Sequence, residues 1–247
     1  MKNREDQKIR EWRFYLVIIL LVYIIWLLAF TSVNISASNL LSRDLTSRLD
    51  RQIPVIPGFV WLYDFCFILP FFSLFIMVDW HRVNRMLLSF IIANVSAFFV
   101  YVMFPTAFYK PELGQSIAER FLSIQYGAYP AGANNFPSMH VAFVWLFYLM
   151  CRGQRLKGIG DMLILSLTVA ATFSTLFVKM HIVADALAGM VWAFLAWAVG
   201  TRLYPYLTDS GDAAPVALGK MLKKIAPYIL SGGAFLLALI SWKMFFL

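Results

Sequence analysis

Charged side chains are scarce in this chain: they make up 14% of its 247 residues, whereas 61% are hydrophobic and 17% are aromatic. A soluble domain has about half apolar residues and about a quarter charged ones. The shortage of charge therefore excludes an ordinary soluble globular protein. We conclude from composition that this is a membrane protein.

Cysteine is almost absent as well. Of the two cysteines, Cys66 lies inside one apolar run and Cys151 at the end of another. Two thiols so placed exclude a disulfide framework. We expect both to be buried apolar thiols.

Acidic residues are outnumbered by basic ones, 13 to 21, which gives a net charge of +8. A basic chain can bind nucleic acid, but here the basic residues concentrate in alternate loops, as the positive-inside rule requires of a membrane protein. We therefore expect no nucleic-acid partner and a cytoplasmic amino terminus. Fourteen of the twenty-one basic residues fall on the side taken as cytoplasmic: Lys2, Arg4, Lys8, Arg10, Arg13, Arg82, Arg85, Arg152, Arg155, Lys157, Arg202, Lys220, Lys223 and Lys224.

Long apolar runs dominate the rest of the chain. They are continuous rather than alternating, which is typical of helices, and most are long enough to cross a hydrocarbon core of about 30 Å. We expect an all-α polytopic membrane helix bundle, residues 1–247 forming a single membrane domain. The seven expected spans lie near residues 14–31, 59–78, 87–104, 137–151, 162–178, 182–202 and 227–247.

Two segments leave alternatives open. The first run follows a basic leader and could be a cleaved signal peptide, but it is longer than a usual signal core, so we expect it to be retained. Residues 209–226 contain glycine and proline and read as a linker. Their basic part could instead lie on anionic headgroups.

His181 and Asp185 are the first candidates for chemistry. They stand four residues apart at the expected start of a span, which places both side chains on one face of a helix. The carboxylate would then hold one ring nitrogen and leave the other free to attack. A structural hydrogen bond and half of a metal site are the alternatives, although a third well-spaced ligand is lacking.

The sequence NNFPSMH, residues 134–140, runs straight into an apolar segment. Pro137 and Ser138 stand where that helix should begin, and a helix amino terminus offers unpaired N–H groups to an anion. His140 follows just inside. Lys110 and Lys179 fall on the same expected side, so the sequence places two histidines, a carboxylate and two cations together, which suits phosphoryl chemistry.

These residues resemble the type 2 phosphatidic acid phosphatase superfamily, whose members are membrane enzymes with a six-helix core and no metal. Two parts of the family pattern, Pro-Ser-Gly-His and Ser-Arg-x5-His-x3-Asp, are matched by PSMH at 137–140 and by Ser174, His181 and Asp185 in register. The resemblance covers about residues 50–203. It implies a six-helix phosphatase-like core, with the span at 227–247 as an addition.

The chain departs from the family pattern at its cations. Thr175 stands where the third motif has arginine, Lys110-Pro111 replaces Arg-Pro of the first motif, and Met103 replaces its lysine. Lysine offers a point charge instead of a bidentate fork. In these departures the chain is similar to the inositol phosphorylceramide and sphingomyelin synthase branch, whose members move phosphorylated headgroups between lipids.

The resemblance implies roles for the candidate residues. His181 would attack phosphorus and form a phosphohistidine, Asp185 would orient its ring, and His140 would protonate the leaving oxygen. No cofactor and no metal would be needed. The expected phosphate ligands are Ser138, Lys110, Lys179 and Ser174.

The expected function is metal-independent hydrolysis of a lipid phosphate or diphosphate at the extracytoplasmic face of a bacterial plasma membrane. The alternatives are a headgroup phosphotransferase and a catalytically silent lipid-binding protein. The expected partners are the bilayer and a lipid phosphate substrate, and the sequence leaves the oligomeric state open.

Overall fold

The computed structural model describes residues 2–37, 42–108, 110–128, 134–155 and 157–246. Over these ranges the chain forms ten α-helices, one short 3-10 helix at Pro57–Phe59, no β-strand and two isolated β-bridges. The all-α expectation is therefore confirmed. The helices are α1 (Lys2–Ala37), α2 (Arg48–Gln52), α3 (Val60–Phe65), α4 (Leu69–Ile76), α5 (Trp80–Met103), α6 (Ile117–Ala128), α7 (Met139–Cys151), α8 (Ile159–Phe177), α9 (Val183–Leu207) and α10 (Ala214–Phe246).

Five helices, α1, α5, α8, α9 and α10, are long and apolar enough to cross a membrane. The segment Pro57–Phe65 meets the same criteria only together with α4, as a bent pair that is either one broken span or a re-entrant loop, and α7 is a shorter apolar helix of 13 residues. At 1.5 Å per residue α7 is about 20 Å long, less than the hydrocarbon thickness. The described part of the chain therefore has several helices that suit an integral membrane protein, but fewer than the seven expected spans, because α7 is short and the second expected span is bent.

The second span is broken between α3 and α4, where the axis bends by 46°. Pro70 stands in the first turn of α4 and has no N–H to donate. Its ring also crowds the carbonyl four residues earlier, at Cys66, so a straight helix through residues 59–78 is disfavoured. The continuous apolar run predicted the span but not this bend.

The expected linker at residues 209–226 is helical over most of its length, because α10 begins at Ala214. Its buried residues Ala214, Ala217, Leu218 and Met221 recur at helical spacing, which indicates one packed face. α10 packs against α5, α9 and α1, and the Lys243 ammonium donates to the Val102 carbonyl at 2.8 Å. The last span is thus part of the bundle.

α5, α7 and α9 form the centre of the bundle, with α5 packed most extensively on α9. α1 and α10 lie outside and expose many large apolar side chains, as helices facing lipid do. Both cysteines are buried free thiols, as expected.

Hydrogen bonds between helices cross the apolar interior near one end of the bundle. The Asn84 side chain accepts from the Tyr15 hydroxyl at 2.8 Å and donates to the Tyr204 hydroxyl at 3.0 Å. Nδ1 of His81 lies 2.8 Å from the same Tyr204 oxygen. His81 is therefore a half-buried residue of α5 that joins α5 to α9.

The loops at the other end of the bundle are joined to one another, and we call this end the site end. The backbone N–H of Arg43 donates to Pro105 at 2.9 Å, and that of Ala107 donates back to Arg43 at 3.0 Å. The N–H of Ile56 donates to the Phe177 carbonyl at 2.9 Å. These bonds bring segments distant in sequence around the starts of α7 and α9.

The packing of α7 on α9 depends on Gly189. A Cβ at this position would collide with the backbone carbonyl of Ser138, so only glycine allows the approach. We expect Gly189→Ala to lower the free energy of unfolding by about 1–3 kcal/mol, as overpacking does. Thermal unfolding in detergent would measure it.

The matched control is Gly219→Ala in α10, where a Cβ would meet none of the described atoms within 4 Å. This variant should unfold at the wild-type temperature or slightly above it, because alanine favours helix. If Gly189→Ala unfolds at the same temperature as Gly219→Ala, the close approach of α7 and α9 does not determine stability.

Candidate active site

α7 begins at Met139, and Ser138 is its N-cap. The Ser138 hydroxyl oxygen accepts from the Val141 N–H at 3.2 Å, and the Ser138 N–H donates to the Asp185 carbonyl at 3.0 Å. The Tyr101 hydroxyl of α5 donates to the Pro137 carbonyl at 2.8 Å. The two motifs are therefore joined backbone to backbone, and the hydroxyl oxygen of Ser138, an expected phosphate ligand, caps α7.

His181 does not lie on a helix, which differs from the expectation, because α9 begins two residues later at Val183. The carbonyl of Thr175 accepts from the N–H groups of both Met180 and His181 at 3.1 Å and so fixes the turn between α8 and α9. The pairing with Asp185 forms nevertheless: Nδ1 of His181 lies 3.4 Å from Oδ2 of Asp185. The turn, rather than helical periodicity, brings the two side chains together.

The contact between His181 and Asp185 is at ion-pair distance but does not have the geometry of a hydrogen bond. Oδ2 of Asp185 also accepts from the Ile182 N–H at 3.1 Å, whereas Oδ1 is buried with no partner among the described residues. Catalytic hydrogen bonds are often long before substrate binds. The arrangement leaves Nε2 as the ring nitrogen of His181 that is available for chemistry.

Lys179 is held by α2 instead of facing a substrate. Its ammonium donates to the Asp50 carbonyl at 2.7 Å, and the Asp50 carboxylate accepts from the Val183 N–H at 2.7 Å. Burial raises the pKa of Asp50, but hydrogen bonds from Ser47 and Val183 and the Lys179 charge hold it below its ordinary value. We call this set of contacts the Asp50 clasp.

Ser174 and Thr175 are both fully buried near the end of α8. The Ser174 hydroxyl donates to the Ala171 carbonyl at 2.7 Å, and the Thr175 hydroxyl donates to the Thr172 carbonyl at 2.8 Å. Both hydroxyls are thus turned back on their own helix. The threonine that replaces the family arginine contributes its backbone carbonyl to the turn described above.

A cavity of about 350 Å³ opens between α1, α3, α4, α5, α6 and α7 and contains the two site-end histidines. Of the four expected phosphate ligands, Lys110 lines it, while Ser138, Ser174 and Lys179 are engaged as described. The ionisable and amide side chains lining the cavity are Asp64, Lys110, Gln125, Asn134, Asn135, His140 and His181. Three of the predicted site residues, His140, His181 and Lys110, thus line one cavity.

His140 is fixed by aromatic rings. Its imidazole stacks on the Tyr63 ring with centroids 4.0 Å apart and planes at 8°, and the Phe67 ring meets it edge-on at 4.9 Å. Nε2 of His140 is buried with no partner among the described residues. The ring is therefore held in one orientation with a nitrogen available to a ligand in the cavity.

Lys110 is the cation of the cavity. Its ammonium lies 5.1 Å from the centroid of the Tyr126 ring. Burial lowers the pKa of Lys110 from its ordinary value to about 8. The side chain is therefore charged at neutral pH but loses its proton in mildly alkaline solution.

Four cavity residues were not assigned to the site by sequence. They are Asp64, Gln125, Asn134 and Asn135. Nε2 of Gln125 donates to Asp64 Oδ2 at 2.7 Å. The two asparagines stand immediately before the PSMH motif and are 5% and 7% exposed, so two buried amides preceding a helix were the signal that could have revealed them.

No group of three or more histidine, cysteine, aspartate or glutamate side chains lies close enough to hold a metal ion in the part of the chain that the structure describes.

Comparison with known families bears on this geometry. The model of the PAP2 superfamily matches residues 112–209. The matched segment contains α7, α8 and α9 and supports membership of that superfamily, whose members are generally phosphatases or related phosphotransferases. The match begins at residue 112, after Met103 and Lys110. It does not show whether the chain belongs to the synthase branch of the superfamily. Comparisons with curated proteins and with solved structures gave no match.

The Asp50 clasp predicts a structural effect for Lys179. We expect Lys179→Met to lower the free energy of unfolding by about 1 kcal/mol, because it removes a charge-assisted but partly solvated hydrogen bond. Binding of a phosphate analogue such as vanadate should change little. Thermal unfolding and vanadate inhibition, measured on the same preparation, would test both.

Two further variants complete this comparison. Lys157→Met removes an exposed lysine outside the cavity and should leave stability and inhibition unchanged. Lys110→Met should weaken vanadate inhibition. If Lys179→Met weakens inhibition but not stability, its side chain binds phosphate instead.

Proposed function

We propose that this protein cleaves a lipid phosphate ester or diphosphate through a phosphohistidine intermediate on His181, with water as the acceptor. The observation that carries the proposal is the common cavity. His140 and His181, which are about forty residues apart in sequence, both line it, and Asp185 stands beside His181 at 3.4 Å. Two histidines at one cavity, one of them backed by a buried carboxylate, are the parts that such a reaction needs: a nucleophile, an orienting group and a second acid–base group.

Each histidine has a distinct role in this proposal. Nε2 of His181 attacks phosphorus and the bond to the leaving oxygen breaks, while His140 donates a proton to that oxygen. Asp185 stabilises the positive charge that develops on His181. Water then attacks the phosphohistidine, loses a proton to His140 and releases His181.

A lipid substrate is supported by the apolar part of the cavity. It is lined by Trp26 of α1, Phe90 of α5 and Phe143 of α7, and it extends from His140 to Met150. Ten residues of α7 correspond to about 15 Å along the helix. This space suits a hydrocarbon chain lying between the helices with its phosphate at the histidines.

A second candidate function is transfer of the phosphorylated group to an alcohol. It is favoured by the loss of cations relative to the family pattern. Met103 and Thr175 replace two family cations, and Thr175 is buried with its hydroxyl bonded within α8. The remaining cavity cation, Lys110, is a poorer match for a highly charged phosphate than two arginines. The same phosphohistidine serves both reactions.

The testing experiment follows both inorganic phosphate and lipid products. The protein, in detergent with a chelator present, is incubated with phosphatidic acid, phosphatidylglycerol phosphate, undecaprenyl diphosphate, or phosphatidylinositol with ceramide. We expect His181→Ala to reduce turnover by at least about 10³-fold because the nucleophile is lost. The matched control, His81→Gln, alters the third histidine at the opposite end of the bundle and should retain activity.

The identity of the products distinguishes hydrolysis from transfer. Phosphate release that is lost in His181→Ala indicates hydrolysis, and a new phospholipid without phosphate release indicates transfer. Full activity in a folded His181→Ala variant contradicts the proposed nucleophile. Inactivity of the wild type on the whole panel favours the catalytically silent alternative.

The lowered pKa of Lys110 predicts a pH dependence of substrate binding. Its ammonium is charged below about pH 8 and neutral above it, so KM should rise as pH increases through that value. Loss of a charge-assisted hydrogen bond corresponds to about ten- to hundredfold weaker binding. KM measured at a series of pH values on either side of pH 8 would show the transition.

Arginine keeps its charge throughout this range, so Lys110→Arg should remove the rise in KM. Lys110→Met should bind weakly at every pH. A transition that persists in both variants belongs to another group.

A further inference from the structure

Besides the two histidines and Lys110, the cavity is lined by hydrogen-bonding side chains to which the proposed reaction assigns no role. Asp64 of α3 and Gln125 of α6 both line it and form a pair, with Gln125 Nε2 donating to Asp64 Oδ2 at 2.7 Å. An ionised carboxylate only accepts hydrogen bonds, so the amide nitrogen must face it. Gln125 Oε1 is left buried as an acceptor without a partner among the described residues. This pair therefore offers acceptors to a ligand.

The asparagines before α7 offer the complementary groups. Nδ2 of Asn134 and Nδ2 of Asn135 are both buried, and neither has a partner within the described part of the chain. A buried amide N–H without an acceptor costs about 1–3 kcal/mol, a cost that a bound ligand can remove. The cavity thus has donors beside PSMH and acceptors at the Asp64–Gln125 pair.

The charges at the site suit a singly charged phosphate. Lys110 contributes one positive charge, while Asp64 and Asp185 contribute two negative ones, and the Lys179 ammonium is occupied in the Asp50 clasp. A phosphate monoester is close to doubly charged at neutral pH, since its second pKa is about 6. A phosphodiester carries a single charge and is therefore the better match for a site with so little positive charge.

We propose that the Asp64–Gln125 pair binds the headgroup of a lipid phosphodiester, and that this headgroup donates hydrogen bonds through a hydroxyl or an ammonium group. The carboxamides of Asn134 and Asn135 donate to its phosphate oxygens. Asp64 is then a specificity-determining residue that recognises the group beyond the phosphate. This rests on the proposed function for placing phosphorus at His181, and it narrows the substrate to a diester.

The test measures binding and needs no turnover. In the His181→Ala background, phosphatidylglycerol, phosphatidylethanolamine, phosphatidylcholine and phosphatidic acid of one short acyl length are titrated in detergent, with tryptophan fluorescence as the readout because Trp26 lines the cavity. We expect phosphatidylglycerol or phosphatidylethanolamine to bind about tenfold more tightly than the other two, which lack a donating headgroup. Preference for the first indicates a hydroxyl, and preference for the second indicates an ammonium.

Asp64→Asn should remove this preference while leaving phosphatidic acid binding within about twofold, because the acceptor charge is lost and the phosphate contacts remain. Glu112→Gln, which neutralises an exposed carboxylate in the loop between α5 and α6, is the matched control and should behave like the background. If Asp64→Asn does not fold, Gln125→Met removes the second acceptor and should reduce the preference.

Equal binding of all four lipids, tighter binding of phosphatidic acid, or an unchanged preference in Asp64→Asn and Gln125→Met would overturn the headgroup site. These outcomes are independent of catalysis. A His181→Ala protein that still turns substrate over would contradict the nucleophile while leaving the headgroup preference intact.

Discussion

The site depends on one backbone contact between two helix starts. The Ser138 N–H donates to the Asp185 carbonyl, and Gly189 provides the room for it. Neither group belongs to a reacting side chain, yet together they fix the start of α7 against the first turn of α9. The two motif histidines are thereby held beside one cavity. Substitutions that widen this contact act on both histidines at once.

The mostly apolar interior also limits how many charged side chains the site can contain. Lys110 is buried enough to bring its pKa down to about 8, and the basic Lys179 is bonded to backbone. The cavity instead contains buried amide groups, those of Asn134 and Asn135, whose Nδ2 atoms have no partner among the described residues. Amides carry no net charge, so burying them costs less than burying an unpaired ion. This explains how a site with few cations can still offer several donors to an anion.

Sequence predicted what depends on local pattern. Continuous apolar runs gave the spans, and the spacing from Ser174 to Asp185 identified the third motif. It did not predict the bend at Pro70, since a proline in the first turn is compatible with either a new helix or a continuing one. The position of His181 was also missed, because the turn that holds it is fixed by the Thr175 carbonyl. Helical periodicity gave the correct pairing with Asp185 for an incorrect reason.

The remaining misses involve partners far apart in the chain. Asp64 and Gln125 are 61 residues apart, and Asp50 and Lys179 are 129 apart. Single-residue reasoning could mark Asp64 and Lys179 as unusual ionisable groups, but it could not assign their partners. Lys179 consequently looked like a phosphate ligand, and the structure instead places its ammonium on a backbone carbonyl. Sequence gave the right neighbour only where both partners lie in one motif, as His181 and Asp185 do.

The Asp50 clasp has a consequence for how natural variation in this chain should be interpreted. Asp50 supplies its carboxylate to the first turn of α9 and its carbonyl to Lys179, so the segment before the second span is part of the frame of the site. A survey of inactivating substitutions would therefore include several at Asp50, although this residue does not line the cavity. Lys179, in contrast, bonds to a backbone carbonyl, so it constrains where residue 50 lies and not which residue stands there.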